Sequence, residues 1–139
     1  MKRIPFLLAL SLVAGFSASL KADANAKQLY KDLVAPVLMA KCAGCHGELK
    51  QKGKLRIDNF EAILKGGSEG ESVVVGNVYE SALIQRAYLP IDDDEHMPPE
   101  DKDQLSVQET ALIAFWIKSG AKEKGTVAEL KPDPETAKA

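Results

Sequence analysis

The stretch CAGCH, Cys42 to His46, holds both cysteines of the chain and one of its two histidines; the other is His96. Two thiols flanking two small residues, with an imidazole directly after, suit four chemistries: a thiol redox pair, part of a zinc site, a disulfide, or a covalent haem attachment. A structural zinc takes about four protein ligands, usually as two pairs, and Cys42, Cys45, His46 and His96 are the entire Cys/His supply. His46 is adjacent to Cys45, so the two do not easily share one tetrahedral ion. A thioredoxin-like pair sits in a βαβ setting, and no strand alternation precedes CAGCH. A disulfide accounts for the cysteines but not for the histidine. C-x-x-C-H is the attachment spacing of haem c. Each thiol adds to a vinyl group as a thioether, and helical spacing turns the next imidazole under the iron as proximal ligand.

Such a site needs a sixth ligand. Beyond Met1 the chain has two methionines, Met39 and Met97. Met39, three residues before Cys42 on a helical pattern, is expected in the core. Met97 lies in LPIDDDEHMPPEDKDQL, where Pro98 and Pro99 stiffen the loop, and a weakly binding thioether benefits from a stiff support. His96 competes, because bis-histidine ligation also fills both axial positions. Adjacent residues of an extended loop point opposite ways, so one of the two faces the iron. Export and the Pro-Pro context favour Met97, with His96 then expected at the surface.

The elements that would position these residues are helical. AKQLYKDLVAPVLMAK, residues 26–41, carries Leu29, Leu33 and Val37 four apart, and Pro36 predicts a kink or a new short helix running into Cys42. GELKQKGKLRI, residues 47–57, reads as a basic loop. Asp58 is placed to cap a short helix over Asn59 to Lys65 that Gly66-Gly67 ends. Val73 to Val75 is a brief extended run, and Tyr79 to Tyr88 a short helix with Leu83, Ile84 and Ala87 inward. Ser106-Val107-Gln108-Glu109 is a capping box opening a buried helix through ALIAFWI, with Gly120 at its end. Beyond Ala121 the lack of apolar period predicts a flexible tail over 122–139. The fold class is all-α: several helices and long loops around one covalently bound haem.

Lys2 and Arg3, the apolar stretch Ile4 to Leu20 and Ala22-Asp23-Ala24 form a signal peptide with cleavage after Ala24. Its removal takes away Lys2, Arg3, Lys21 and Asp23, so the formal charge goes from −2 to −4. That charge leaves no footprint for nucleic acid. Residues 25–121 form the expected domain, and its small core benefits from a staple such as a cofactor. Export places the protein in the periplasm, with no stable membrane insertion of the mature chain.

CAGCHG, KLRID, GGSEGESVVVGN, DDDEHMPPE and LSVQETALIAFWIKSGA together resemble the planctomycete-type cytochrome c domain over about Val34 to Ala121. The resemblance implies one covalent haem c on Cys42 and Cys45, its iron ligated by His46 and by the methionine of the MPP motif, Met97. It implies a small, mainly helical cytochrome c fold. The function expected is electron carriage rather than catalysis, between donor and acceptor proteins that the sequence does not identify. If Met97 is labile, the alternative is a small-ligand sensor or a peroxidase-like protein. Lys50, Lys52, Lys54, Arg56 and Arg86 are the candidates for pairing with haem propionates. The acidic run Asp92 to Glu95 is a solvated loop that could steer a basic partner.

Overall fold

A computed structural model describes residues 26–130; the expected signal peptide lies outside them. Four α-helices are present among the described residues: α1 (Ala35–Lys41), α2 (Phe60–Lys65), α3 (Ala82–Ala87) and α4 (Val107–Lys118). No strand occurs among the described residues, only isolated bridges such as His46 with Gln51. The all-α class holds.

A wide π-helical turn over Leu29–Val34 leads into α1. The Ala35 N–H reaches back five residues to the Tyr30 carbonyl, and Pro36, lacking an N–H, occupies the first turn of α1. Proline suits a first turn because its missing donor would find no intrahelical partner there. The expected break at Pro36 is thus a change of helical winding.

α2 is capped by Asn59, whose side chain accepts from the Ala62 N–H at 2.9 Å. Asp58, expected in that role, is held by Arg56 through two bonds of 2.9 and 2.7 Å. α3 starts at Ala82, later than expected, and leaves Tyr79 exposed. α4 carries the expected capping box: Ser106 Oγ accepts from the Glu109 N–H at 3.1 Å, and the Glu109 carboxylate accepts from the Ser106 N–H at 2.7 Å.

α4 packs against the π turn and α3. Its Ile113, Trp116 and Ile117 are fully buried and share one core with Leu29, Val34, Leu38 and Ile63. Tyr30 bridges Phe60 and Trp116, with ring centroids 5.1 and 5.2 Å away. Truncating a residue buried like Trp116 typically costs about 3–5 kcal/mol. Met39 is not in this core: it is 51% exposed, while its neighbour Leu38 is fully buried.

The start of the expected flexible tail is pinned. The Trp116 Nε1–H donates to the Lys122 carbonyl at 2.9 Å. Leu29 N–H donates to the Gly125 carbonyl and Val127 N–H to the Lys27 carbonyl, each at 3.0 Å. Val127 and Leu130 pack on the core. Residues 122–130 therefore close the N-terminal end of the domain; 131–139 lie outside the described residues.

Candidate haem site

α1 delivers the cysteines. The Cys42 N–H still bonds the Leu38 carbonyl, and the Cys42 carbonyl accepts from the N–H of both Cys45 and His46, at 3.1 and 3.0 Å. Cys42, Cys45 and His46 thus share one tight helical turn, as C-x-x-C-H spacing requires. Gly47 is needed beside it: a Cβ there would lie 2.4 Å from the Ala43 carbonyl oxygen. The loop then folds back, with the Lys52 N–H on the Cys45 carbonyl at 3.0 Å and the Ile57 N–H on the His46 carbonyl at 2.7 Å.

That return places the Lys52 carbonyl 3.0 Å from His46 Nδ1. A carbonyl only accepts, so Nδ1 carries the proton and Nε2 presents its lone pair. Metal-binding histidines use this arrangement, the outer bond fixing ring orientation and raising ligand basicity. Burial holds the His46 pKa below the ordinary histidine value; the charges of Lys52 and Arg86 act the same way, against the Lys52 carbonyl bond. The imidazole is therefore kept neutral, the form that binds metal. Burial also pushes the Cys42 thiol up to about 11, against the pull of Lys41.

The second segment, residues 96–104, is drawn to the same side. Lys41, next to Cys42, pairs with Asp103 at 2.6 Å and lies 4.0 Å from Glu109. The Lys102 ammonium, held above its ordinary pKa chiefly by Asp101, also feels Cys45. Asp101, held low chiefly by Lys102, also feels Lys52. Arg86, whose charge reaches His46, offers its carbonyl to the Met97 N–H at 3.1 Å. Met97 is half-buried and its bond to Pro98 is cis.

His96 is buried, 7% exposed, and not the surface residue expected from sequence. Its Nδ1 faces the Leu89 carbonyl at 2.8 Å and its Nε2 faces Gln104 Oε1 at 2.9 Å. Both ring nitrogens face acceptor oxygens, so both bond at once only with a proton on each, a form with no lone pair to offer iron; Met97 is the donor left in the loop. Among the described residues no three His, Cys, Asp or Glu side chains converge to hold a metal ion, which leaves the zinc reading without a ligand set.

The charged candidates divide. Arg56 is committed to Asp58, and Arg86 to Glu69 at 2.6 Å with Glu95 at 3.8 Å. Lys50, Lys52 and Lys54 are exposed and make no ion pair among the described residues. In the acidic run Asp93 has a local duty, accepting from the Glu95 N–H at 2.8 Å and, through its carbonyl, from the His96 N–H at 2.9 Å.

Sequence reasoning gave no role to Gly47, to the Lys52 carbonyl or to Gln104. Gln104 had a detectable signal: two successive prolines strip a loop of amide donors, so a nearby amide side chain is a natural substitute. The residues present fit haem c: two thiols on one turn, an imidazole with its metal-binding nitrogen bare, and a thioether on a braced loop nearby.

Residues 42–101 match the family model of planctomycete cytochrome C. The matched span begins at Cys42 and ends before α4, narrower than the resemblance had suggested. No curated protein and no solved structure matches the chain.

Proposed function

We propose that the protein is an exported monohaem c-type cytochrome that carries electrons between partner proteins, a reading supported by the match of residues 42–101 to the family model of planctomycete cytochrome C. The observation that carries this reading is the His46 Nδ1 bond to the Lys52 carbonyl inside the CAGCH turn, which leaves Nε2 for a metal. Cys42 and Cys45 would hold the group as thioethers, His46 would be the proximal ligand, and Met97 the sixth. When bound, haem supplies one iron that changes by a single electron between ferrous and ferric.

The chain's own part is to hold and tune. The Lys52 carbonyl orients His46 and makes it a stronger donor; the Met97 thioether favours the ferrous state and raises the potential. Buried Leu38, Ile57 and Trp116 make the interior apolar, and exposed Asp92, Asp93 and Asp94 favour docking of a basic partner. No helix among the described residues is long and apolar enough to cross a membrane. The N-terminal leader read from the sequence is what supports a periplasmic location.

The test is the optical spectrum of the purified ferric protein. A methionine-to-iron charge-transfer band that disappears in Met97→Ala is expected, with haem that resists acid-acetone extraction. Extractable haem would refute the thioethers. A high-spin, five-coordinate wild-type spectrum would refute the carrier and favour the sensor or peroxidase-like alternative.

A further inference from the structure

We propose that Gln104 is the positioning residue that holds Met97 in place as the sixth ligand, an inference resting on Met97 as that ligand. Pro98 and Pro99 follow Met97 and contribute two carbonyls but no N–H donor. Gln104 supplies what they lack. Its Nε2 lies 3.1 Å from the Pro98 carbonyl, 2.8 Å from that of Pro99 and 3.0 Å from that of Lys102, two protons shared over three acceptors. This fixes the amide orientation, since reversal would set Oε1 against three carbonyl oxygens. The oxygen then accepts from His96 Nε2–H at 2.9 Å, and His96 Nδ1–H donates to the Leu89 carbonyl at 2.8 Å, a relay that uses a proton on each ring nitrogen.

Gln104 therefore joins both flanks of Met97: the two prolines after it and, through His96, the Leu89 carbonyl just past α3 before it. The Met97 N–H supplies the remaining tether, to the Arg86 carbonyl at 3.1 Å. Gln104 is itself anchored, two residues ahead of the Ser106 cap of α4 and next to Asp103, which Lys41 holds at 2.6 Å. A thioether is a weak iron ligand, so the fraction of time it stays bound depends on how little freedom its loop has. Gln104 lies beyond the span that matches the family model.

Gln104→Ala removes both functions of the amide. Gln104→Glu is nearly isosteric and keeps an acceptor for His96, but turns the donors to three carbonyls into repulsions. The haem-loaded protein is titrated with imidazole, which competes for the sixth position, while folding is followed by Trp116 fluorescence. Both variants should bind imidazole roughly tenfold more tightly than wild type, the scale of one or two net hydrogen bonds. Both should also show a weakened charge-transfer band and a lower reduction potential. A space-filling role would tolerate Glu, so wild-type imidazole affinity in a folded Gln104→Glu protein would overturn the proposal. Met97→Ala separates the two readings. If it leaves the band intact, the ligand assignment fails; if it abolishes the band while both Gln104 variants bind imidazole as wild type does, only the clamp fails.

Discussion

His46 Nδ1 and the Lys52 carbonyl oxygen lie 3.0 Å apart, and the residue that aims that carbonyl is Gly53. Its φ of +62° lies in the left-handed region, where an L side chain costs roughly 1–2 kcal/mol. Gly53→Ala has open space, its nearest neighbour being Ser68 Oγ at 3.8 Å, so the strain is in the backbone alone. The variant should lose about that stability and relax by rotating the Lys52 carbonyl away. A weaker outer bond makes His46 a poorer donor, so the reduction potential should rise. A redox titration checks the sign; an unchanged or lower potential would show that the carbonyl does not tune the ligand.

Gly47 is required for a different reason. Its added Cβ would meet the Ala43 carbonyl oxygen at 2.4 Å, inside the turn that carries both thiols. Gly47→Ala should destabilise the protein by on the order of 1–3 kcal/mol, the usual range for overpacking, and lower the yield of haem-loaded protein. Ala43→Gly should not rescue it, because the clash is with a backbone oxygen. Urea unfolding of the single and double variants decides; rescue would mean that the Ala43 methyl is the obstacle.

What sequence could read here was local. CAGCH is contiguous, and the Ser106–Glu109 capping box spans a single turn, so spacing alone announces both. The choice of Asn59 over Asp58 as cap was not legible, because both residues are competent and Arg56, two positions before Asp58, decided it. Neither was the burial of His96, which depends on Gln104 and Leu89 arriving from opposite sides. The docking of 122–130 depends on Gln28 and Gly125, 97 residues apart: the Gly125 N–H donates to Gln28 Oε1 at 2.9 Å. A segment that joins an edge through backbone groups needs no apolar period, so hydropathy cannot announce it.

A chain ended at Ala121 tests that docking. It would leave the Trp116 Nε1–H without the Lys122 carbonyl, strip the Leu29 N–H of its partner and uncover the core beneath Val127 and Leu130. The summed loss should be on the order of 2–4 kcal/mol from hydrogen bonds and apolar area together. Val127→Ala in the full chain should reproduce part of it. Thermal unfolding at one salt concentration is sufficient, and a midpoint equal to wild type would contradict a docked segment.

The capping box sets an acid limit on the loop that carries Met97. The Glu109 carboxyl is held below the ordinary glutamate value, first by the Ser106 N–H and further by Lys41, against the opposing charge of Asp103. A carboxyl with a lowered pKa in the folded state stabilises the fold fully above its unfolded value, 4.5 here. It loses that contribution as pH falls from there through the folded value. Ser106→Ala should cost about 1 kcal/mol at neutral pH. Glu109→Gln can still accept from the Ser106 N–H, so it should be only slightly less stable at neutral pH and show a shallower acid decline. The wild type and Glu109→Gln should therefore converge as pH falls below about 4.5. Gln104 lies two residues before that box, so the wild-type methionine-to-iron band should fall towards that of Glu109→Gln over the same range. Melting temperatures and spectra across the acid limb check both, and parallel pH profiles would show that Glu109 contributes nothing through its charge.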